Sequence, residues 1–125
     1  MSKKILVVDD DPDIVNLLAQ RLQSNHYEVI VALDAVEARK KAFTEKPDLI
    51  LLDYMLPAGT GIAVFEDLRK STKTMLIPVI FITANATEAV KQKTSQMGAR
   101  DFITKPFVAE DLLFKIKKVL GKTDE

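Results

Sequence analysis

No cysteine occurs anywhere in the sequence. That absence excludes a disulfide framework, a thiolate zinc site and a cysteine nucleophile. Neither sign of charge is in excess: 18 Lys and Arg stand against 18 Asp and Glu, for a formal net charge of zero. A balanced chain has little non-specific grip on nucleic acid or on an anionic membrane. Long apolar runs are missing too. The longest, Val29 to Leu33, falls far short of the roughly 20 residues that cross a bilayer. The apolar stretch near the start, Ile5 to Val8, is too short for a signal peptide. These absences predict a cytoplasmic protein with no direct nucleic-acid contact and no membrane contact. No internal repeat occurs, and no G-x-x-x-x-G-K-[ST] pattern, which removes a P-loop nucleotide hydrolase.

What is present is ordinary globular composition, 47% hydrophobic and 29% charged over 125 residues. That length predicts a single domain, 1–125, and the residues from Lys122 to Glu125 form a short polar C-terminal tail. A chain of this size buries roughly two-thirds of its unfolded surface, so it needs no covalent staple.

Short apolar runs alternate with amphipathic stretches. Ile5 to Val8, closed by Asp9, Asp10 and Asp11, predicts a strand buried on both faces. Asp11 and Pro12 then open a helix over 12–24, with Ile14, Leu17, Leu18 and Leu22 at helical spacing. Glu28 to Ala32 predicts the second strand. Asp34 caps a helix whose Ala35, Ala38, Ala42 and Phe43 are expected inward. Leu49 to Leu52, ending at Asp53, predicts the third strand, and Tyr54 to Gly61 a loop containing Pro57, Gly59 and Gly61. A third helix is expected over about 61–71, with Ile62, Phe65 and Leu68 inward. A fourth strand runs from Pro78 to Ile82 and exits at Thr83. The fourth helix covers about Thr87 to Met97 and stops at Gly98. Phe102 and Ile103 make a short fifth strand ending at Lys105-Pro106. Leu112, Leu113, Ile116, Val119 and Leu120 form the fifth helical stripe, which Gly121 ends.

Strands alternating with helices imply an α/β fold, a doubly wound parallel sheet covered on both faces. Right-handed crossovers favour the flavodoxin-like strand order 2-1-3-4-5, with five strands and five helices. Ligands of such sheets bind beyond the carboxyl ends of the strands, at the switch point between strands one and three. The exits there are Asp9, Asp10 and Asp11, then Asp53, Thr83 and Lys105. Carboxylates about 4 Å apart repel by roughly 4 kcal/mol at an effective dielectric of 20, so the acids need a cation or a proton. The candidate ligands are all hard oxygens, which suit Mg²⁺, or Mn²⁺ in its place. Lys105 offers a point charge to a phosphoryl oxygen, and Thr83 offers a hydroxyl. Carboxylates accept phosphoryl groups as aspartyl phosphates, a reaction that needs mainly positioning and charge neutralisation.

Four motifs then stand in order, each at a strand exit: Ile5-Leu6-Val7-Val8-Asp9-Asp10-Asp11, Leu52-Asp53-Tyr54-Met55-Leu56-Pro57 with Gly61, Ile82-Thr83-Ala84, and Lys105-Pro106-Phe107. With them the chain resembles, over about residues 3–121, the receiver domain of two-component response regulators, in a stand-alone, chemotaxis-regulator-like form. The resemblance implies that Asp53 is the phosphoacceptor, loaded from a histidine kinase or a phosphotransfer protein. It implies Asp10 as a direct Mg²⁺ ligand, Asp9 acting largely through water, and the Met55 backbone carbonyl completing the set with Asp53. Thr83 and Lys105 would contact the phosphoryl group, and the Lys105-Pro106 bond would be cis. The family's switch draws the threonine hydroxyl inward and an aromatic after it; here these are Thr83 and Phe102, where the family often has Tyr. The domain would catalyse only its own phosphorylation and dephosphorylation, with no turnover on external substrates. Met55 and Asn85 occupy positions that tune dephosphorylation in the family. Gly59 stands where the family usually has a bulky apolar residue, so Gly59 and Gly61 are expected to loosen the loop after Asp53.

Two other readings remain, one on a related sheet and one on the same fold. Asp9-x-Asp11 fits the D-x-D pattern of a haloacid-dehalogenase-like phosphatase, although Pro12 stands where Thr or Val is usual. A flavodoxin-like flavin site would need Ser, Thr and Gly donors after the first strand, where three aspartates stand instead. Bland roles remain for individual residues. Asp11 and Asp13 suit helix capping, and His26, the only histidine, suits a surface turn. The lysines of the last helix, Lys115, Lys117, Lys118 and Lys122, suit a solvated face. The sharper expectation is an output face built from helix four, strand five and helix five. A downstream target would dock there, or Lys91, Asp101, Asp111 and Lys115 would pair across a two-fold axis in a phosphorylation-dependent dimer of an otherwise monomeric protein.

The neutral total hides a division. Residues 1 to 20 hold four aspartates against two lysines, whereas residues 105 to 122 hold five lysines against two acids. With the receiver filling the chain, no output domain is expected within it.

Overall fold

The structure, a computed structural model, describes residues 2–57, 59–84 and 87–121. The elements are β1 (Lys4–Val8), α1 (Pro12–Ser24), β2 (Glu28–Ala32), α2 (Ala35–Glu45), β3 (Leu49–Asp53), β4 (Met55–Leu56), β5 (Gly59–Thr60), α3 (Gly61–Arg69), β6 (Val79–Thr83), α4 (Glu88–Gln96), β7 (Asp101–Thr104) and α5 (Ala109–Leu120). Five strands form one parallel sheet in the order β2-β1-β3-β6-β7. Numbered within that sheet alone, the order is 2-1-3-4-5, as the sequence predicts. The expected tail, Lys122 to Glu125, and Asn85 lie outside the described residues.

Side chains alternate across a strand, and β1 shows what that builds. Ile5 and Val7 join α1 and α5 on one face, with Val15, Leu18, Leu22, Leu112 and Ile116. Leu6 and Val8 join α2 and α3 on the other, with Ala35, Ala38, Val64 and Phe65. Both faces are dry because both are covered, which is why the strands read as unbroken apolar runs.

Several expectations need correction. The inward stripe of α1 is Val15, Leu18 and Leu22, with Ile14 packed against the same core, and Leu17 is exposed. Phe43 is exposed as well, with Lys73 Nζ 4.9 Å from its ring centre. α3 ends at Arg69 and β6 starts at Val79. Pro78 has no N–H to give a ladder; its carbonyl accepts from Ile50 N–H at 3.0 Å. The stretch after Asp53 is not a plain loop: β4 and β5 form a small antiparallel hairpin, pairing Met55 with Thr60 and Leu56 with Gly59. Nor does Gly61 loosen it. Gly61 is buried at the start of α3, and its N–H donates to Tyr54 O at 2.8 Å. A Cβ there would lie 2.2 Å from the Asp53 carbonyl oxygen. Glycine is needed for close approach, so the helix can start against the end of β3.

Side chains cap α1 and α3. Asp11 accepts from Asp13 N–H at 2.9 Å, and Thr60 from Ala63 N–H at 3.1 Å. Both outer strands are capped laterally by lysines. Lys41 Nζ donates to Val31 O on β2, and Lys115 Nζ donates to Phe102 O on β7. No helix among the described residues is long and apolar enough to cross a membrane.

Candidate functional site

The register of the parallel sheet assembles the site. Val8 pairs with Leu52 and Thr83 with Thr104, so Asp9, Asp53, Thr83 and Lys105 all emerge at one end. Lys105 N–H donates to Thr83 O at 2.8 Å, and Tyr54 N–H to Ile82 O at 2.9 Å, extending the ladder past the strand ends. Asp53 leaves the sheet between its neighbours, nearly buried at 5% exposure.

Asp9 is fully buried. Its Oδ1 accepts from Asp11 N–H at 3.0 Å, and its Oδ2 lies 2.7 Å from Lys105 Nζ. Lys105 Nζ also donates to Asp53 Oδ2 at 3.2 Å. Asp53 Oδ1 accepts from Met55 N–H at 3.2 Å. Burial, and then the Asp9 charge, push the Asp53 carboxyl above the usual carboxylate range, while Lys105 and the Met55 N–H pull the other way. Burial works against the Lys105 ammonium, but the two carboxylates together outweigh it and raise its pKa.

Carboxylate oxygens of Asp9, Asp10 and Asp53 lie within 4.8 Å of one another. Asp10 is exposed and opens the cluster to solvent. Octahedral Mg²⁺ binds oxygens at about 2.1 Å, which sets neighbouring ligands about 3 Å apart and opposite ones about 4 Å apart. The cluster therefore has the donor chemistry and close to the span that a hard divalent cation takes. Asp9 Oδ2 is buried, with the Lys105 ammonium 2.7 Å away. A carboxylate oxygen with one such partner still has acceptor capacity for a cation. The cluster borders a cavity of about 360 Å³ lined by Asp53, Met55, Thr83, Val90 and Lys105 among others.

The remaining expected residues are placed as follows. The Lys105-Pro106 bond is cis. Thr83 is buried and lines the cavity. Phe102 does not line it; its ring lies in a groove between α4 and β7. Asp11 is exposed and spent on the α1 cap. The Asp11 carboxylate is not among the acids grouped with Asp9, so the geometry gives the D-x-D phosphatase reading no support. His26 is exposed, in a left-handed turn with φ 70°. The pairings of the expected two-fold face are internal here: Lys115 faces Asp101 at 3.9 Å and Asp111 at 3.6 Å, and Lys91 faces Glu88 at 3.8 Å. Sequence reasoning missed Tyr54 and Val90 as cavity walls. Tyr54 follows a strand exit directly, and that position was the available signal; Val90 had none, since its place depends on how α4 packs.

Comparison with known proteins decides between the readings of this fold. Residues 5–117 match the model of the response regulator receiver domain. The chain belongs to that family. Receiver domains are the signalling domains of two-component phosphorelays, not metabolic enzymes. This one is 44% identical over 124 residues to the alkaline phosphatase synthesis transcriptional regulatory protein PhoP of Bacillus subtilis, covering 99% of this chain and 51% of the relative. The chain thus spans about half the length of the curated relatives it matches. Among solved structures, the Vibrio cholerae chemotaxis protein CheY4 superposes with a TM-score of 0.91 at 32% identity, covering 96% of this chain and 100% of that one. The receiver domain of the sensor histidine kinase PA1611 from Pseudomonas aeruginosa PAO1 gives a TM-score of 0.88 at 28% identity, covering 98% of this chain and 100% of that one. That structure holds a magnesium ion coordinated in its active-site cleft.

Proposed function

We propose that this receiver domain, over about residues 3–121, takes a phosphoryl group on Asp53 from the phosphohistidine of a histidine kinase or phosphotransfer protein. The observation that carries the reading is the Asp53 carboxylate itself. It is nearly buried, 3.2 Å from Lys105 Nζ, with Asp9 and Asp10 oxygens within 4.8 Å. An Asp53 oxygen attacks phosphorus, the new O–P bond forms as the P–N bond breaks, and the imidazole leaves. Lys105, already lodged between Asp9 and Asp53, has its ammonium placed to follow the charge as it moves onto phosphoryl oxygens. Thr83 lines the same cavity and offers its hydroxyl to the group. Hydrolysis by water, releasing phosphate and restoring the carboxylate, resets the domain.

Mg²⁺, with Mn²⁺ as a substitute, is the cofactor that the donor set suits. Asp9, Asp10, Asp53 and the Met55 backbone carbonyl are the groups to hold it. When bound, such an ion neutralises charge shared between the acids and the phosphoryl oxygens. Movement of Thr83 and Phe102 is the proposed output, read at the face of α4, β7 and α5 by a downstream protein or by a second copy of the chain.

Incubation with Mg²⁺ and a small acyl phosphate tests the reading. One phosphoryl group should be gained by mass spectrometry, and Asp53→Asn should abolish the gain. An undiminished gain in that variant would sink the assignment. Light scattering on the phosphorylated protein checks for the dimer.

A further inference from the structure

Phe102 is held from three directions. Its N–H donates to Asp101 Oδ1 at 2.8 Å, and its carbonyl accepts from Lys115 Nζ at 2.9 Å. Its ring is flanked by two ammonium groups. Lys91 Nζ, from α4, lies 5.0 Å from the ring centre, and Lys115 Nζ, from α5, lies 5.3 Å from it. Both distances fall inside the range in which a cation is drawn to the electron-rich face of an aromatic ring. Two cations beside one ring repel each other, but each has acidic company. Lys115 faces Asp101 and Asp111, and Lys91 faces Glu88. A phenyl ring carries no hydroxyl, so no hydrogen bond from its tip fixes the rotamer. The π face is the polar handle that remains.

We propose that Lys91 and Lys115 are positioning residues that hold the Phe102 ring in the groove between α4 and β7, and so set how much of the unphosphorylated chain keeps it there. The proposal rests on the reading of Thr83 and Phe102 as a switch pair. Lys115 ties the backbone and the ring of the same residue together, so it is the stronger anchor. Lys91 touches the ring from a different helix, so the ring's place also reports the seat of α4. A ligand that needs the ring elsewhere binds with an affinity reduced by the fraction of chains already competent. Removing either cation should raise that fraction about two- to fivefold, the worth of one partly exposed cation–π contact.

The test uses the full chain carrying 4-fluorophenylalanine, with the Phe102 resonance assigned through Phe102→Leu. Lys91→Met and Lys115→Met keep length and apolar stem while removing the charge. Lys115→Arg restores a cation. Each methionine variant should move the Phe102 fluorine resonance, the double variant should move it further, and Lys115→Arg should return it toward the parent. Beryllofluoride with Mg²⁺ should bind about two- to fivefold more tightly to each methionine variant. A Phe102 resonance unmoved in both methionine variants overturns the proposal. Lys91→Met keeps this decisive if Lys115→Met perturbs folding, because Lys91 makes no bond to the β7 backbone among the contacts described. A moved resonance with unchanged beryllofluoride affinity upholds the clamp and overturns Phe102 as the switch. Failure of beryllofluoride to bind the parent overturns the phosphoacceptor reading, and the fluorine shifts still decide the clamp.

Discussion

A Cβ on Gly61 would stand 2.2 Å from the backbone carbonyl oxygen of Asp53. The first residue of α3 and the last of β3 are thus in contact, and the missing side chain is what permits it. Gly61→Ala must separate them. Overpacking of this kind costs about 1–3 kcal/mol, and at this chain length each kcal/mol lowers Tm by roughly 3–6 °C. The shift also moves Asp53 relative to Lys105, so acyl-phosphate loading should slow along with the fall in Tm. Calorimetry and loading rates on the one variant check both. A Gly61→Ala protein with parental Tm would show that the hairpin yields freely.

Divalent metal should stabilise the fold through the three acids. At a hundredfold excess of Mg²⁺ over its dissociation constant, binding to the folded state adds about 2.7 kcal/mol. Tm should rise with Mg²⁺ at neutral pH and return on chelation. Asp10→Asn should shrink the rise, because Asp10 is the exposed member of the cluster and its loss disturbs no buried contact. A Tm indifferent to Mg²⁺ in the parent would count against the metal site.

The pH dependence follows from the direction of the Asp53 shift. Burial and the charge of Asp9 raise its pKa in the folded chain. The folded state therefore holds this proton more tightly than the unfolded state. Its contribution to stability is present at acid pH and is lost as pH rises through the folded value. At neutral pH and without metal, the ionised Asp53 is a net cost. Asp53→Asn should then be more stable than the parent in urea melts with a chelator, and the difference should vanish as pH falls toward about 4. A parent more stable than the variant at neutral pH would contradict the sign.

Lys105 should be felt chiefly through Asp9. Lys105→Met leaves a fully buried carboxylate without its ammonium and should cost about 2–3 kcal/mol, below the full value for a buried pair because the Lys105 side chain keeps 18% exposure. Asp9→Asn in the same background should recover much of that loss. Additive losses in the double-mutant cycle would show the two charges to be uncoupled.

The parts of this fold that were legible in the sequence are those set by short-range pattern. Runs such as Leu49 to Leu52 signal strands buried on both faces, and the acids that close them mark exits. Strand order follows from handedness, and with it the meeting of Asp9, Asp53 and Lys105. Leu17 and Phe43 were illegible for a different reason. Each sits beside a residue on the true inward face, and apolar spacing alone could not say which neighbour the sheet takes. The β4–β5 hairpin was hidden because glycine and proline signal a turn without saying that its arms pair. The tight seat of Gly61 needs the position of a carbonyl from another element. That Lys105 lies closer to Asp9 than to Asp53 is a matter of side-chain geometry, which no motif encodes.

An uncovered outer strand is an invitation to any passing strand, and a sheet with two of them is at risk of growing sideways into a fibre. Here the carbonyl of Val31 at one margin and that of Phe102 at the other are occupied by lysine ammonium groups. An incoming backbone would have to displace a charge at either side before it could bond. Strand addition is therefore disfavoured at those two carbonyls. Neutralising Lys41 and Lys115, by acylation for instance, would remove both guards and should appear first as self-association in storage, before any loss of helix is seen.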